Sequence, residues 1–134
     1  MNRAYIANAL RTLAEKDGFT FVEAPAGQIA GLVAAYPVAW LEQIELQSKS
    51  GTHHGRIIYS VRLHLMFEGL RMPPAQRNET FDAAEQTMLK IFTGLSTDAR
   101  VACVDDLTIK VSQFARTPHG EIAVTADALI DTIY

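Results

Sequence analysis

The sequence predicts a two-layer α+β sandwich, in which a four- to five-stranded, largely antiparallel sheet packs against two helices in the order α-β-β-β-α-β-β. Three observations predict it. Along Arg56–Phe67, the residues Ile57, Tyr59, Val61, Leu63, Leu65 and Phe67 take every second position, while Arg56, Ser60, Arg62 and His64 fall between them. Strand side chains alternate faces, so this is one long strand with an apolar side and a basic, wettable side. Two other segments carry apolar residues three and four apart: Ile6, Ala9, Leu10 and Leu13, then Phe81, Ala84, Met88, Ile91, Phe92 and Leu95. That spacing makes amphipathic helices. Polar connections between successive strand patterns favour antiparallel hairpins, whose apolar face the helices must cover.

The first helix starts at Asn2, a capping residue, carries Lys16 in its last turn and ends at Gly18, which tolerates a left-handed backbone. Residues 19–24 read as a short strand stopped by Pro25, which has no amide hydrogen for a ladder. Residues 26–36, with Ile29, Leu32 and Val33, form either a helical turn or an apolar loop. Such a segment is packed or used as a contact. Pro37 pushes Tyr36 into an extended conformation. Residues 38–47 read as one strand, with Val38, Trp40, Ile44 and Leu46 on one face, Glu42 as the exception, and Ala39, Leu41, Gln43, Glu45 and Gln47 on the other. A polar, glycine-flanked connection, 48–55, leads into the long strand.

Residues 69–77, with Pro73 and Pro74, break the sheet, and the second helix follows with Asn78 or Thr80 as its cap and Gly94 near its end. Leu107, Ile109 and Val111 then alternate with Thr108, Lys110 and Ser112. Ile122, Val124, Ala126, Ala128 and Ile130 alternate with Glu121, Thr125, Asp127 and Asp131. Thr117-Pro-His-Gly120 is the turn between them. No solenoid repeat or low-complexity tract appears. The sheet face away from the helices is mainly polar, but Leu41, Ile58, Met66 and Phe114 interrupt it. That scatter points to a second partner, such as another copy of the chain.

The 134 residues are expected to form a single domain over 1–134, burying roughly two-thirds of the unfolded surface. Hydrophobic residues make up 49% and charged residues 20%, an ordinary globular balance. A net charge of −3 argues against a dedicated nucleic-acid binder. The single cysteine, Cys103, excludes an intramolecular disulfide. The first residues are too polar for a signal peptide, and the most apolar window, 29–41, is shorter than the ~20 residues that span a bilayer. A soluble, cytoplasmic protein with no membrane partner is expected.

No convergent catalytic set is visible, so no enzyme activity is expected, and no catalytic, cofactor-binding or metal-binding residue. His53 and His54 are adjacent on an extended chain and point apart, so they read as a solvated hairpin tip. Cys103 lies in the apolar run Val101-Ala-Cys-Val104 and reads as a packed, inert thiol. Asp105 and Asp106 read as exposed turn residues at the start of a strand. Arg56, Arg62 and His64 share one strand face and, with Lys110 and Arg116, could form a basic strip; Glu42 and Glu121 offset it. Gly27 and Gly31 lack the strand and lysine of a phosphate loop. The alternative to a structural protein is a small cytoplasmic α+β enzyme or ligand-binding domain. It requires a helix–sheet pocket lined by groups such as His64, Glu42 or Asp106.

Five stretches, taken in order, carry a resemblance: the opening helix over 4–17, Tyr36-Pro-Val-Ala-Trp-Leu-Glu42, Gly51-Thr-His-His-Gly55 leading into Tyr59-Ser-Val-Arg-Leu-His-Leu65, Leu89-Lys-Ile-Phe-Thr-Gly-Leu95, and Leu129-Ile-Asp-Thr-Ile-Tyr134. Their arrangement resembles the tail-terminator and tail-completion proteins (minor tail, head–tail joining) of long-tailed bacteriophages and prophages. The resemblance implies a non-catalytic structural subunit without cofactors. It implies a homo-oligomeric ring, often a hexamer, that caps the tail tube and meets other tail and head-completion proteins. DNA would be in its channel at most transiently, and the protein would reside in the bacterial cytoplasm and the assembled virion. A ring needs a heterologous interface built from two different patches. The candidates are Ile29, Leu32, Val33 and Tyr36 from the apolar segment, and Ile58, Arg62, His64 and Met66 from the long strand.

Replacing His53 and His54 together by alanine is expected to leave the melting temperature unchanged within about 2 °C, because surface substitutions rarely exceed ~0.5 kcal/mol. A drop of several degrees in a thermal melt would contradict the solvated-tip reading.

Overall fold

The computed structural model describes residues 2–32, 35–50, 55–69, 72–112 and 120–133, the side chains of Lys49 and Ser50 excepted. In chain order these form helix α1 (Asn2–Lys16), strand β1 (Thr20–Glu23), a short 3-10 helix (Ala26–Gly31), β2 (Val38–Leu41), β3 (Glu45–Ser50), β4 (Arg56–Phe67), α2 (Pro74–Ser96), β5 (Val101–Ser112) and β6 (Ile122–Ile133). The class is α+β, as expected, but the sheet is larger than expected and mixed. Its six strands run β1-β2-β4-β6-β5, with β3 also paired to β4. β1 lies parallel to β2 and all other pairings are antiparallel.

The long strand pattern is β4, and its partner β6 matches it residue for residue from Arg56↔Ile133 to Phe67↔Ile122. The alternation of β4 holds as far as Arg62; beyond it the side expected to be wettable is buried too, with His64 and Met66 both 0% exposed. Tyr59, Val61, Leu63 and Leu65 join the main core with Val124, Ala126 and Ile130 of β6. Both helices cover that face. α1 buries Ile6, Ala7, Leu10 and Ala14, and α2 buries Phe81, Ala84, Met88, Ile91, Phe92 and Leu95. Gly94 allows the helices to approach closely, since a Cβ there would sit 2.8 Å from Leu13 Cδ2. α1 ends as its glycine predicts. Gly18 has φ +88°, its amide donates to Glu15 O (3.0 Å), and the Phe19 amide donates to Ala14 O (3.2 Å). These paired bonds form a Schellman cap.

Several boundaries differ from expectation. Asn2 does not cap α1; it is the first helical residue, and its Nδ2 donates to Thr132 Oγ1 at 3.2 Å. α2 begins at Pro74, a turn before Asn78 and Thr80, with Pro73 at the cap position. Proline at the first helical position has a suitable φ and no amide to leave unpaired, so the diproline starts the helix rather than merely preceding it. β5 begins at Val101, so Asp105 and Asp106 lie inside a strand. The ladder shifts register between Asp105 and Thr108, and Asp106 has φ +52°. Aspartate tolerates such a bulge, and in sequence that tolerance looks like a turn.

The largest difference concerns residues 38–47. They form two strands separated at Glu42, Gln43 and Ile44, and the faces of the first half are the reverse of those expected. Ala39, Leu41 and Ile44 face the helices, whereas Val38 and Trp40 lie on the other side with Ile29, Met66 and Ala123. The 3-10 helix seals this second, smaller core through Ile29. All four residues of β2 are buried. A strand apolar on both faces carries no alternation from which to orient it. The break at 42–44 resets the register, so that Ile44 reaches the main core while Glu42 stays on the outer face. Leu41 therefore does not interrupt the outer face, and Met66 is covered there. Phe114, Arg116, the 117–119 part of the turn, and the His53–His54 tip lie outside the described residues. Among the described residues, no helix is long and apolar enough to cross a membrane.

Leu63→Asp is expected to abolish folding, because Leu63 is 0% exposed and an unpaired core charge costs several kcal/mol against a total stability of ~5–15. A cooperative melt in circular dichroism would contradict this. Gly18→Ala should cost about 1 kcal/mol in chemical denaturation, since alanine strains at that φ; an unchanged midpoint would contradict the capping role.

Candidate functional site

The sheet face turned away from the helices is built from the β4 and β6 residues between the core positions. Cross-strand pairs follow one another along it: Met66↔Ala123, His64↔Thr125, Arg62↔Asp127, Ser60↔Leu129 and Ile58↔Asp131. The face is graded. At the Met66 end it is sealed by the 3-10 helix and Trp40, and towards Ile58 it is open.

His64 lies at the edge of the seal and is 0% exposed. Its ring stacks on Trp40 with centroids 4.2 Å apart and planes 18° from parallel. The Trp40 indole in turn donates to Ala24 O at 2.9 Å. His64 Nε2 lies 2.5 Å from Glu42 Oε2, and Nδ1 lies 2.7 Å from Thr125 Oγ1. With an ionised Glu42 the Nε2–H donates to the carboxylate. The Thr125 hydroxyl then donates to Nδ1 of a neutral ring or accepts from an imidazolium.

Carboxylate, imidazole and hydroxyl in a row is the arrangement that activates a hydroxyl nucleophile. Here the hydroxyl carrier Thr125 is only 8% exposed, and Trp40 covers one face of the imidazole. An incoming substrate has no approach to either. The three groups instead clamp the end of β2 to β4 and β6. His64 and Glu42 thus converge as a pocket would require, but on the face opposite the helices. Asp106 sits apart from them, on the β5 bulge.

Beside this clamp Arg62 Nε donates to Asp127 Oδ1 at 2.6 Å, a bond that raises the arginine pKa above its ordinary value. A hollow of about 160 Å³ opens here, lined by Glu42, Gln43, Glu45, Ser60, Arg62 and Asp127. Typical small-molecule pockets enclose ~300–1,000 Å³. Further along, Arg56 Nη1 pairs with Asp131 Oδ2 at 3.3 Å. Arg56 and Arg62 are therefore each paired with an aspartate of β6, so the β4 part of the expected basic strip is neutralised pair by pair, while Lys110 shares the outer face from β5 and Arg116 lies outside the described residues.

Cys103 is not a core thiol. It lies partly buried next to Asp131 on the outer face, and its Sγ–H donates to Asp105 Oδ2 at 3.1 Å. That hydrogen bond, followed by burial and the charges of Asp105 and Asp131, raises the thiol pKa; Arg56 pulls the other way. The two residues stand two apart on one strand, a spacing that puts both side chains on one face, and this was the signal available in the sequence.

A second concavity, about 500 Å³, runs between α1 and the end of α2 and is lined by Tyr5, Asn8, Thr12, Leu13, Gly94 and Asp98 among others. The Tyr5 hydroxyl contacts both Asp98 oxygens, at 2.8 and 2.9 Å, and its pKa is raised chiefly by that bond. The Arg100 guanidinium stands 4.6 Å from the Tyr5 ring centre.

The interface candidates fall into two groups. Ile29, His64 and Met66 are closed over by the chain itself and are not offered to a partner. Leu32 and Arg62 are exposed, and Tyr36 and Ile58 are partly exposed. Val33 lies outside the described residues. No protein-family model matches the chain, and no curated protein matches it.

Glu42→Ala should lower stability by about 1–3 kcal/mol, because it strips a buried imidazole of its carboxylate partner. Arg62→Ala should cost less than about 1 kcal/mol, since the Arg62 side chain is 52% exposed. Urea denaturation of the two variants checks the contrast, and equal losses would contradict the clamp.

Proposed function

We propose that the chain is a structural subunit of a phage-type tail assembly, of the tail-terminator or tail-completion kind, which acts by joining copies of itself into a ring and carries out no catalysis. The observation that carries this reading is the graded outer face of the sheet. One part is sealed by the chain's own 3-10 helix. The other presents Ile58 and Leu129, partly exposed, between the Arg62–Asp127 and Arg56–Asp131 pairs, and Ile133, half exposed, at the end of the strand opposite Arg56. A surface that mixes apolar side chains with internally neutralised charges suits a protein partner better than a phosphate backbone.

The sheet edges fit the same reading. Among the described residues β5 pairs with β6 alone at one side of the sheet, and at the other side β1 pairs with β2 alone and β3 with β4 alone, so the two sides present unlike edges. Unlike patches on opposite sides are what head-to-tail ring closure requires. In such a ring the copies and the other tail and head-completion proteins are the partners, and DNA passes at most transiently.

The converged His64–Glu42 pair and the adjacent hollow favour a second reading, a small-ligand domain. The hollow's size and the burial of His64 rank it below the first.

Mass photometry and sedimentation across several salt conditions test the assembly reading. A discrete closed oligomer is expected at high protein concentration. A strictly monomeric chain in every condition, with and without tail-tube protein, would overturn it.

A further inference from the structure

We propose that Cys103, Asp105 and Asp131 form a binding site for a divalent cation of the zinc class, held by one thiolate and two carboxylates on the outer face of the β5–β6 pair. One ligand atom from each residue can be chosen so that all three lie within 4.8 Å of one another. The ladder produces this convergence. Cys103 stands opposite Asp131, and Asp105 is two residues further along the same strand face. Metal–ligand bonds of ~2.0–2.3 Å place tetrahedral ligands roughly 3.3–3.8 Å apart, so the cluster needs to contract by about an ångström.

A second observation, independent of the cluster's composition, points to a ligand. Asp131 is 6% exposed; its Oδ2 is the oxygen nearest Cys103, with Sγ at 3.8 Å, and Oδ1 of the same carboxylate has no hydrogen-bond partner among the described residues. Arg56 approaches only Oδ2, at 3.3 Å, from a side chain that is 61% exposed. A buried carboxylate oxygen without a donor is costly, and a cation is the group that satisfies it without adding a donor side chain. Arg56, long and mostly in solvent, is free to swing aside as the charge arrives.

The donor set selects the metal. A thiolate favours zinc-class cations over magnesium or calcium, whose ligands are oxygen alone. Binding exchanges one proton for one metal–sulfur bond: the thiol hydrogen leaves to solvent, and the sulfur lone pair enters the metal's coordination. Asp105, which already accepts that hydrogen at 3.1 Å, lies on the proton's way out. Because Asp105 is exposed, water completes the coordination from the open side.

The test is titration of the untagged full chain with cadmium, followed by the ultraviolet thiolate-to-metal band, with zinc as competitor. A saturable band at one ion per chain, displaced by zinc and absent in Cys103→Ser, is expected. Asp131→Asn should weaken binding ~10-fold or more. If that variant fails to fold, the exposed Asp105→Asn carries the same expectation. Arg56→Gln should bind at least as tightly as the parent. Absence of the band in large cadmium excess would overturn the site. So would equal affinity in the folded Asp variants, which would mean a lone thiol, or zinc binding lost in the His53→Ala/His54→Ala variant but kept in Cys103→Ser.

Discussion

The pairing of β4 with β6 is the constraint on which the rest of the molecule depends. Twelve residues of each strand run in unbroken register. Because side chains alternate faces, that register assigns every residue of both strands to one side. A slip of one position would turn Leu63 and Leu65 outward and drive His64 into the helix-covered core. The same register sets the outer face, placing His64 against Thr125, Arg62 against Asp127 and Ile58 against Asp131. The fold and its candidate sites therefore share a single cause. A fault in this ladder would damage packing and surface chemistry together.

How much of this was legible in the sequence depended on whether an element is covered on one face or two. α2, and β4 as far as Arg62, each bury a single face, and their periodicities of three to four and of two could be read directly; beyond Arg62, His64 and Met66 are buried as well. β2 is buried on both sides, so Val38 and Trp40 could not be told from Ala39 and Leu41 by pattern. Only a tertiary fact, the 3-10 helix folding back over Trp40, settles which pair faces outward. The ends of β5 and α2 were hidden for another reason. Asp105-Asp106 and Pro73-Pro74 are turn-like residues that the fold uses inside a strand and at a helix start.

The site was less legible still. Glu42's mismatch within an apolar strand face was the one local sign, and its partner lies 22 residues away, while Thr125 lies 61 beyond His64. Such contacts follow from strand order, which local spacing does not encode. Once the order is known, the basic residues of β4 lose their independence, because β6 supplies an aspartate opposite or beside each arginine. The surface that remains is mixed rather than charged. On physical grounds it suits the proposed protein–protein contact, with the His64 clamp beside it on the same face.

The proposed placement of a contact surface, and the proposed oligomer with it, are open to direct measurement by hydroxyl-radical footprinting of the chain at low and high concentration. As the oligomer forms, Ile58 and Leu129 should become protected while Leu89, on the helix layer, stays reactive. An oligomer in which Ile58 and Leu129 react as fast as in the monomer would contradict the outer face as the contact surface.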